Sequence, residues 1–296
     1  MKILLATDGS EHSGRAAKFL TNLNLSSDDE ITVLHVITEV PFKDDAASYY
    51  SSLKQIKQEI APKIIGTAMN ILRPLNTKIT SLVIDGYPDK GIIDIAEDLN
   101  VNMIVMGAKG IKGIKAFLIG SVTRSAAINS SKPVLVIKPP QGEVSGSLKV
   151  LFATDGSDYA RETGRFLTSI PFHDDAEITV LHVIQSGLDI PERFHIEIDE
   201  RIKKIATEIK ALAFKESEKT IEQARKFLSV RFTKVTSLTR DGDPSLEILN
   251  AAKMLKTDII VVGSKGMRGI KGMLGSVSRY ILGHSECSVL IGKTGK

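Results

Sequence analysis

Short apolar runs alternate with longer amphipathic stretches along the 296-residue chain. Ile3–Ala6, Ile31–Ile37, Met103–Met106 and Val134–Ile137 are too short for ordinary helices and are rich in branched aliphatic residues, so they read as buried strands. Lys78–Ile84 reads as a fifth. Between them the apolar positions take helical spacing. After Ser10 the residues Ala16, Ala17, Phe19, Leu20 and Leu23 form one stripe. Asp45–Leu72 reads as a long helical region kinked or broken at Pro62. Pro88 suits the first turn of a helix running to about Leu99. Ser121 stands where a helix through Val122–Asn129 needs its N-cap.

The pattern then repeats. Lys2-Ile-Leu-Leu-Ala-Thr-Asp8-Gly-Ser10 recurs as Lys149-Val-Leu-Phe-Ala-Thr-Asp155-Gly-Ser157, and Ile31-Thr-Val-Leu-His-Val36-Ile37 recurs as Ile178-Thr-Val-Leu-His-Val183-Ile184. Asp85-Gly-Tyr-Pro88 returns as Asp241-Gly-Asp-Pro244, nine residues later than that offset requires. The second copy therefore carries an insertion, which reads as a long charged helix over Glu197–Leu228. Gln141–Ser147 has linker composition. The expected division is a first domain over 1–140, a linker over 141–147 and a second domain over 148–296. Strands alternating with crossover helices imply an α/β fold in each copy, a five-stranded parallel sheet flanked by helices. Ligands of such sheets bind beyond the carboxyl ends of the strands, where the strand order switches. Asp8, Val36 and Gly107 all stand at such ends.

Chemistry concentrates after the fourth strand of each copy. Gly107-Ala-Lys-Gly110 is followed by nine residues and then Gly120-Ser121-Val122-Thr123, whereas Gly263-Ser-Lys-Gly266 is followed by eight and then Gly275-Ser276-Val277-Ser278. Strand, glycine loop and helix start together suit an anion, because backbone N–H groups approach closely and the helix dipole favours negative charge. The plainer reading is a tight turn with glycines for steric reasons. Ser121, Thr123, Ser276 and Ser278 offer hydroxyls at the helix start. Lys109, Lys112 and Lys115, mirrored by Lys265, Arg268 and Lys271, read mainly as solvated loop charges. Asp8 and Asp155 suit a hydrogen bond to a base amine, or Mg²⁺ carried by phosphates, against the plainer role of capping the next turn.

Composition removes several classes. A net charge of +4 spread along the chain does not suggest nucleic acid or a membrane surface. The single cysteine, Cys287, rules out an intrachain disulfide and fits a reducing compartment. Met1-Lys-Ile-Leu-Leu-Ala6 opens like a leader, but Thr7-Asp8 end its apolar run, so the expected location is the cytoplasm. Neither a dinucleotide fingerprint nor a P-loop occurs. His35 and His182 stand without ligand-spaced partners and read as packed residues.

Ala-Thr-Asp-Gly-Ser, Leu-His-Val-Ile, Asp-Gly-x-Pro and the glycine loop together resemble the universal stress protein family, in both halves. The resemblance implies two Rossmann-like domains of the adenine-nucleotide-binding type. It further implies ATP, or ADP or AMP, with Mg²⁺ at the phosphates near Asp8 and Asp155 and no protein-only metal site. Asp8 and Val36 would lie towards adenine and ribose, and Gly107, Gly110, Gly120, Ser121 and Thr123 towards ribose and phosphates. Asp155, Val183, Gly263, Gly266, Gly275, Ser276 and Ser278 repeat those roles, and Thr7, Val122, Thr154 and Val277 complete the set. The family's habit of pairing last strands implies that Val134–Ile137 meets Ser288–Ile291 within the chain, with a homodimer as a further level. The implied role is a nucleotide-dependent regulator or sensor in the stress response. The alternatives are a slow ATP hydrolase and a scaffold that binds no nucleotide.

Overall fold

A computed structural model describes residues 1–39, 47–110, 119–139, 146–185, 200–266 and 274–294. The first half runs β1 (Lys2–Ala6), α1 (Glu11–Leu20), β2 (Glu30–Thr38), α2 (Ala47–Leu72), β3 (Lys78–Gly86), α3 (Pro88–Asp98), β4 (Met103–Gly107), α4 (Ser121–Asn129) and β5 (Val134–Ile137). The second repeats it as β6 (Lys149–Ala153), α5 (Asp158–Ser169), β7 (Glu177–Ile184), α6 (Glu200–Leu228), β8 (Lys234–Asp241), α7 (Pro244–Leu255), β9 (Ile259–Gly263), α8 (Ser276–His284) and β10 (Ser288–Gly292). These are two tandem Rossmann-like halves.

All strands form a single ten-stranded sheet in the order β3-β2-β1-β4-β5-β10-β9-β6-β7-β8. Pairing is parallel inside each half. At the centre β10 runs antiparallel to β5, with Val289 opposite Val136 and Leu290 opposite Leu135. Helices cover both faces, which is why the central strands are continuous apolar runs. In β1 successive side chains alternate between the faces. Ile3 and Leu5 meet Ala16, Leu20 and Leu72, while Leu4 and Ala6 meet Ile92, Ala96 and Ala126. Each of the two core layers continues across the junction, Leu135 with Leu290 on one face and Val136 with Val289 on the other.

Two elements differ from the sequence expectation. Pro62 lies inside α2 without ending it. The ring removes one backbone donor, but the surrounding helix packs Ala61, Ile65, Ala68 and Leu72 inward, and that burial carries the helix through. The third strand continues beyond Ile84 to Gly86, because β2 supplies partners as far as Thr38. The described part of the charged helix of the second half runs Glu200–Leu228. Residues 45 and 197–199, where these helices were expected to start, and most of the expected linker lie outside the described residues.

Candidate functional site

The strand order switches between β1 and β4 in the first half and between β6 and β9 in the second. Two loops meet above each switch. The first follows β1. Thr7 donates its N–H to the Leu34 carbonyl (2.9 Å), and His35 Nδ1 lies 2.9 Å from the Thr7 carbonyl. A carbonyl only accepts, so the His35 proton sits on Nδ1 and pins the loop from the neighbouring strand. Asp8 Oδ1 accepts the Ser10 N–H at 3.1 Å, closing a turn that places Gly9 at φ +78°, where only glycine is at ease. Ser10 Oγ then caps α1 through the Ser13 N–H (3.3 Å). The second half repeats the turn: Asp155 Oδ1 accepts the Ser157 N–H at 3.0 Å and Gly156 has φ +77°. Asp8 and Asp155 therefore do hold turns, with one carboxylate oxygen each.

The other oxygen faces the glycine loop. A Cβ on Gly110 would lie 2.5 Å from Asp8 Oδ2, and one on Gly266 would lie 2.7 Å from Asp155 Oδ2. Residues a hundred positions apart are thus brought together as the sequence reading expected. Each loop is anchored below by the last strand, through Ala108 N–H to the Ile137 carbonyl and Ser264 N–H to the Gly292 carbonyl, both 2.9 Å. It closes above through Gly120 N–H to the Ala108 carbonyl (2.9 Å) and Gly275 N–H to the Ser264 carbonyl (2.8 Å). Residues 111–118 and 267–273 lie outside the described residues. With them go Lys112, Lys115, Arg268 and Lys271 and the one-residue difference in loop length.

The helix start differs from expectation in a way that matters. Gly120, not Ser121, is the N-cap of α4, and Gly275 that of α8; no side chain caps either helix. Ser121, Val122 and Thr123, like Ser276, Val277 and Ser278, are the first helical residues, whose N–H groups have no acceptor inside a helix. By contrast, α1 and α5 have serine caps in both halves. The Thr123 hydroxyl donates to the Gly107 carbonyl (2.9 Å) and that of Ser278 to the Gly263 carbonyl (2.6 Å), both buried. These hydroxyls tie the helix to its strand, leaving Ser121 and Ser276, at the rim, as the accessible pair.

The glycines divide into two kinds. A Cβ on Gly107 would stand 2.5 Å from the His12 carbonyl carbon, so its bareness lets α1 pass. A Cβ on Gly263 would meet Ala160 N at 3.3 Å, a milder version of the same contact. Gly120 and Gly275 are different. Both have φ −59°, which any residue adopts, so no backbone restriction demands glycine there. Among the described residues a Cβ would find nothing nearer than 3.6 Å at Gly120 or 3.4 Å at Gly275. Val36 is buried beside α3, and Val183 is partly buried at the corresponding place.

Two features at this level escaped sequence reasoning. His12 has a buried Nδ1 without a hydrogen-bond partner. Burial, with the nearby Arg15 and Lys109 cations, holds its pKa below the ordinary imidazole value. The second half has Tyr159 there, with Lys265 Nζ 5.1 Å from the ring centre. The mismatch between aligned copies was the available signal. His182, for its part, meets Ser217 Oγ at 2.8 Å, and burial lowers its pKa too. Cys287 sits half-buried just before β10, and burial raises its thiol to about 11. Among the described residues no group of three His, Cys, Asp or Glu is placed to hold a metal, and no helix is long and apolar enough to cross a membrane.

The sequence model of the universal stress protein family matches residues 1–138 and again 147–293. A universal stress protein of Mycolicibacterium smegmatis is 25% identical over 305 residues, spanning 98% of this chain and 96% of its own length. Universal stress protein MJ0577 of Methanocaldococcus jannaschii is 32% identical over 152 residues, 46% of this chain and 94% of the relative. The crystal structure of a universal stress protein from Archaeoglobus fulgidus superposes with a TM-score of 0.65 at 22% identity, covering 100% of this chain and 97% of that one, which shows the shared fold. With both halves matched by the same family, this chain belongs to the universal stress protein family as a tandem, two-domain member.

Proposed function

We propose that each half binds ATP, or the related ADP or AMP, at the crevice between its glycine loop and its aspartate turn, and that occupancy makes this stress-family protein a cytoplasmic regulator or sensor. The observation that carries the reading is the helix N-terminus without a side-chain cap behind a glycine for which the described residues supply no steric reason. Among the described residues nothing crowds a Cβ at Gly120 or Gly275, yet both copies have glycine there. A phosphate chain seated on the N–H groups of Ser121–Thr123 and Ser276–Ser278 supplies that reason. Asp8 Oδ2 and Asp155 Oδ2 would face the base or a phosphate-bound Mg²⁺, with Val36 and Val183 towards the adenine end. Bound Mg²⁺ would supply charge neutralisation at the phosphates; the chain itself supplies aligned amides and the serine rim. Asp8 and Asp155 are tied into their turns, an arrangement suited to holding a ligand more than to activating water.

The same reading takes residues 1–140 and 148–296 as the two domains and the β5–β10 junction as their standing assembly in solution. A homodimer is the next level, read by sedimentation at rising concentration. The nucleotide is tested by denaturing the purified protein and identifying what is released by mass, followed by calorimetric titration of Gly120→Val and Gly275→Val. Each variant should lose one of two sites, with unchanged melting temperature. Unaltered stoichiometry in both would place the nucleotide elsewhere, and absence of any binding to the parent would leave a scaffold.

A further inference from the structure

Lys138 and Lys293 have no role in either candidate site, yet each is tied to both. Lys138 directly follows Ile137, whose carbonyl anchors the first glycine loop through Ala108. Its ammonium crosses into the other half and donates to the Leu282 carbonyl (3.0 Å), the Ser285 carbonyl and Ser285 Oγ (3.2 Å), at the C-terminal end of α8. Lys293 follows Gly292, whose carbonyl anchors the second loop through Ser264. Its ammonium crosses the opposite way, to the Ala127 (2.9 Å) and Ile128 (3.1 Å) carbonyls in the last turn of α4. Ala127 and Leu282 occupy the same place in their respective helices.

Resting on the nucleotide reading above, we propose that these lysines are crossed positioning residues. Lys138 holds α8 for the site of the second half, and Lys293 holds α4 for the site of the first.

The physical case has three parts. The last carbonyls of a helix lack partners and carry the negative end of its dipole, so an ammonium there is doubly favoured. Lys138 is only 9% exposed, and a charge taken that far from water needs those acceptors. Each helix is nine residues long, a rigid rod of about 13 Å. Fixing its C-terminus therefore fixes where its open N-terminal amides stand.

The crossed pattern is the test. The full chain is photolabelled with 8-azido-ATP, and labelled peptides from each half are quantified by mass spectrometry. Lys138→Met should weaken labelling of the second half about fivefold or more while sparing the first, and Lys293→Met should do the reverse. Lys138→Arg and Lys293→Arg, which keep charge and donors, should restore labelling. Equal losses in both halves, or a loss confined to the lysine's own half, would overturn the proposal. Hydrogen exchange of the nucleotide-free chain gives a second readout. Lys138→Met should speed exchange along α8 and leave α4 unchanged, and unchanged α8 exchange would also overturn it. Should either methionine variant fail to fold, glutamine at the same position carries the same expectations. If the parent chain labels in neither half, the nucleotide reading fails, and exchange alone decides the positioning role.

Discussion

Gly107 and Gly120 bracket one loop, but they are glycines for different reasons. At Gly107 a methyl group would collide with the backbone of His12 at 2.5 Å, where no side chain can move aside. At Gly120 the same methyl would be in ordinary contact at 3.6 Å. Gly107→Ala should therefore cost about 1–3 kcal/mol of stability, the usual range for forced overpacking. Gly120→Ala should cost no more than about 1 kcal/mol, the difference between glycine and alanine as an N-cap, while weakening nucleotide binding. Urea unfolding and calorimetric titration of the two variants separate the effects, and a large stability loss at Gly120 would remove the ligand argument. The hydroxyls of Thr123 and Ser278 follow the same logic: spent on the Gly107 and Gly263 carbonyls, they hold the helix and leave ligand contact to backbone amides.

At the level of elements, α4 and α8 share a glycine start, and α3, behind Tyr87, is also without a side-chain cap. Ser10, Ser157 and Asp243 cap α1, α5 and α7 through their side chains, whereas α4 and α8 start on glycine. A glycine start gives up only about a few tenths of a kcal/mol against a serine cap, and it leaves the first amides open to something else. The long helix α2 shows a different tolerance. Pro62 sits on its exposed side and removes one intrahelical bond, while the buried side keeps the helix whole. Pro62→Ala should raise stability by about 1–3 kcal/mol, the helix gain exceeding the loss of proline's restraint on the unfolded chain. A raised urea midpoint at unchanged slope would show it; a lowered midpoint would mean that proline's restraint on the unfolded chain outweighs the missing helix bond.

Across the whole molecule, the central junction carries a pH signature. Burial lowers the Lys138 and Lys293 ammonium groups to about 8, whereas the unfolded chain keeps the ordinary value near 10.5. Above pH 8 the unfolded state binds more protons than the folded one, so stability climbs with pH. The buried Cys287 thiol, raised from 9.0 to about 11, acts the other way above pH 9. The clean window is therefore pH 8 to 9. Unfolding measured across it should show stability rising in the parent chain and rising less in Lys138→Met. A flat profile in the parent would mean that the carbonyl acceptors hold both lysines charged.

The sequence alone determined the local and repeating parts of this protein. Strands that must be buried on both faces cannot hide their composition, and a doubled Ala-Thr-Asp-Gly-Ser with a doubled glycine loop announced two equivalent units. Their α/β class, the meeting of Asp8 with the glycine loop and the family followed from that pattern. What only tertiary structure decided is how neighbours distant in the chain use each residue. The motif could not say that Gly107 yields to α1 while Gly120 yields to nothing among the described residues. Nor could it say that Thr123 and Ser278 turn inward, or that Gly120 stands where Ser121 was expected to cap. Lys138 and Lys293 carried no signal at all, since each lies just past a strand and looks like any solvated lysine. Their burial exists only because an antiparallel junction brings each strand end against the far helix. Such a contact is set by the packing of two halves, and no local pattern encodes it.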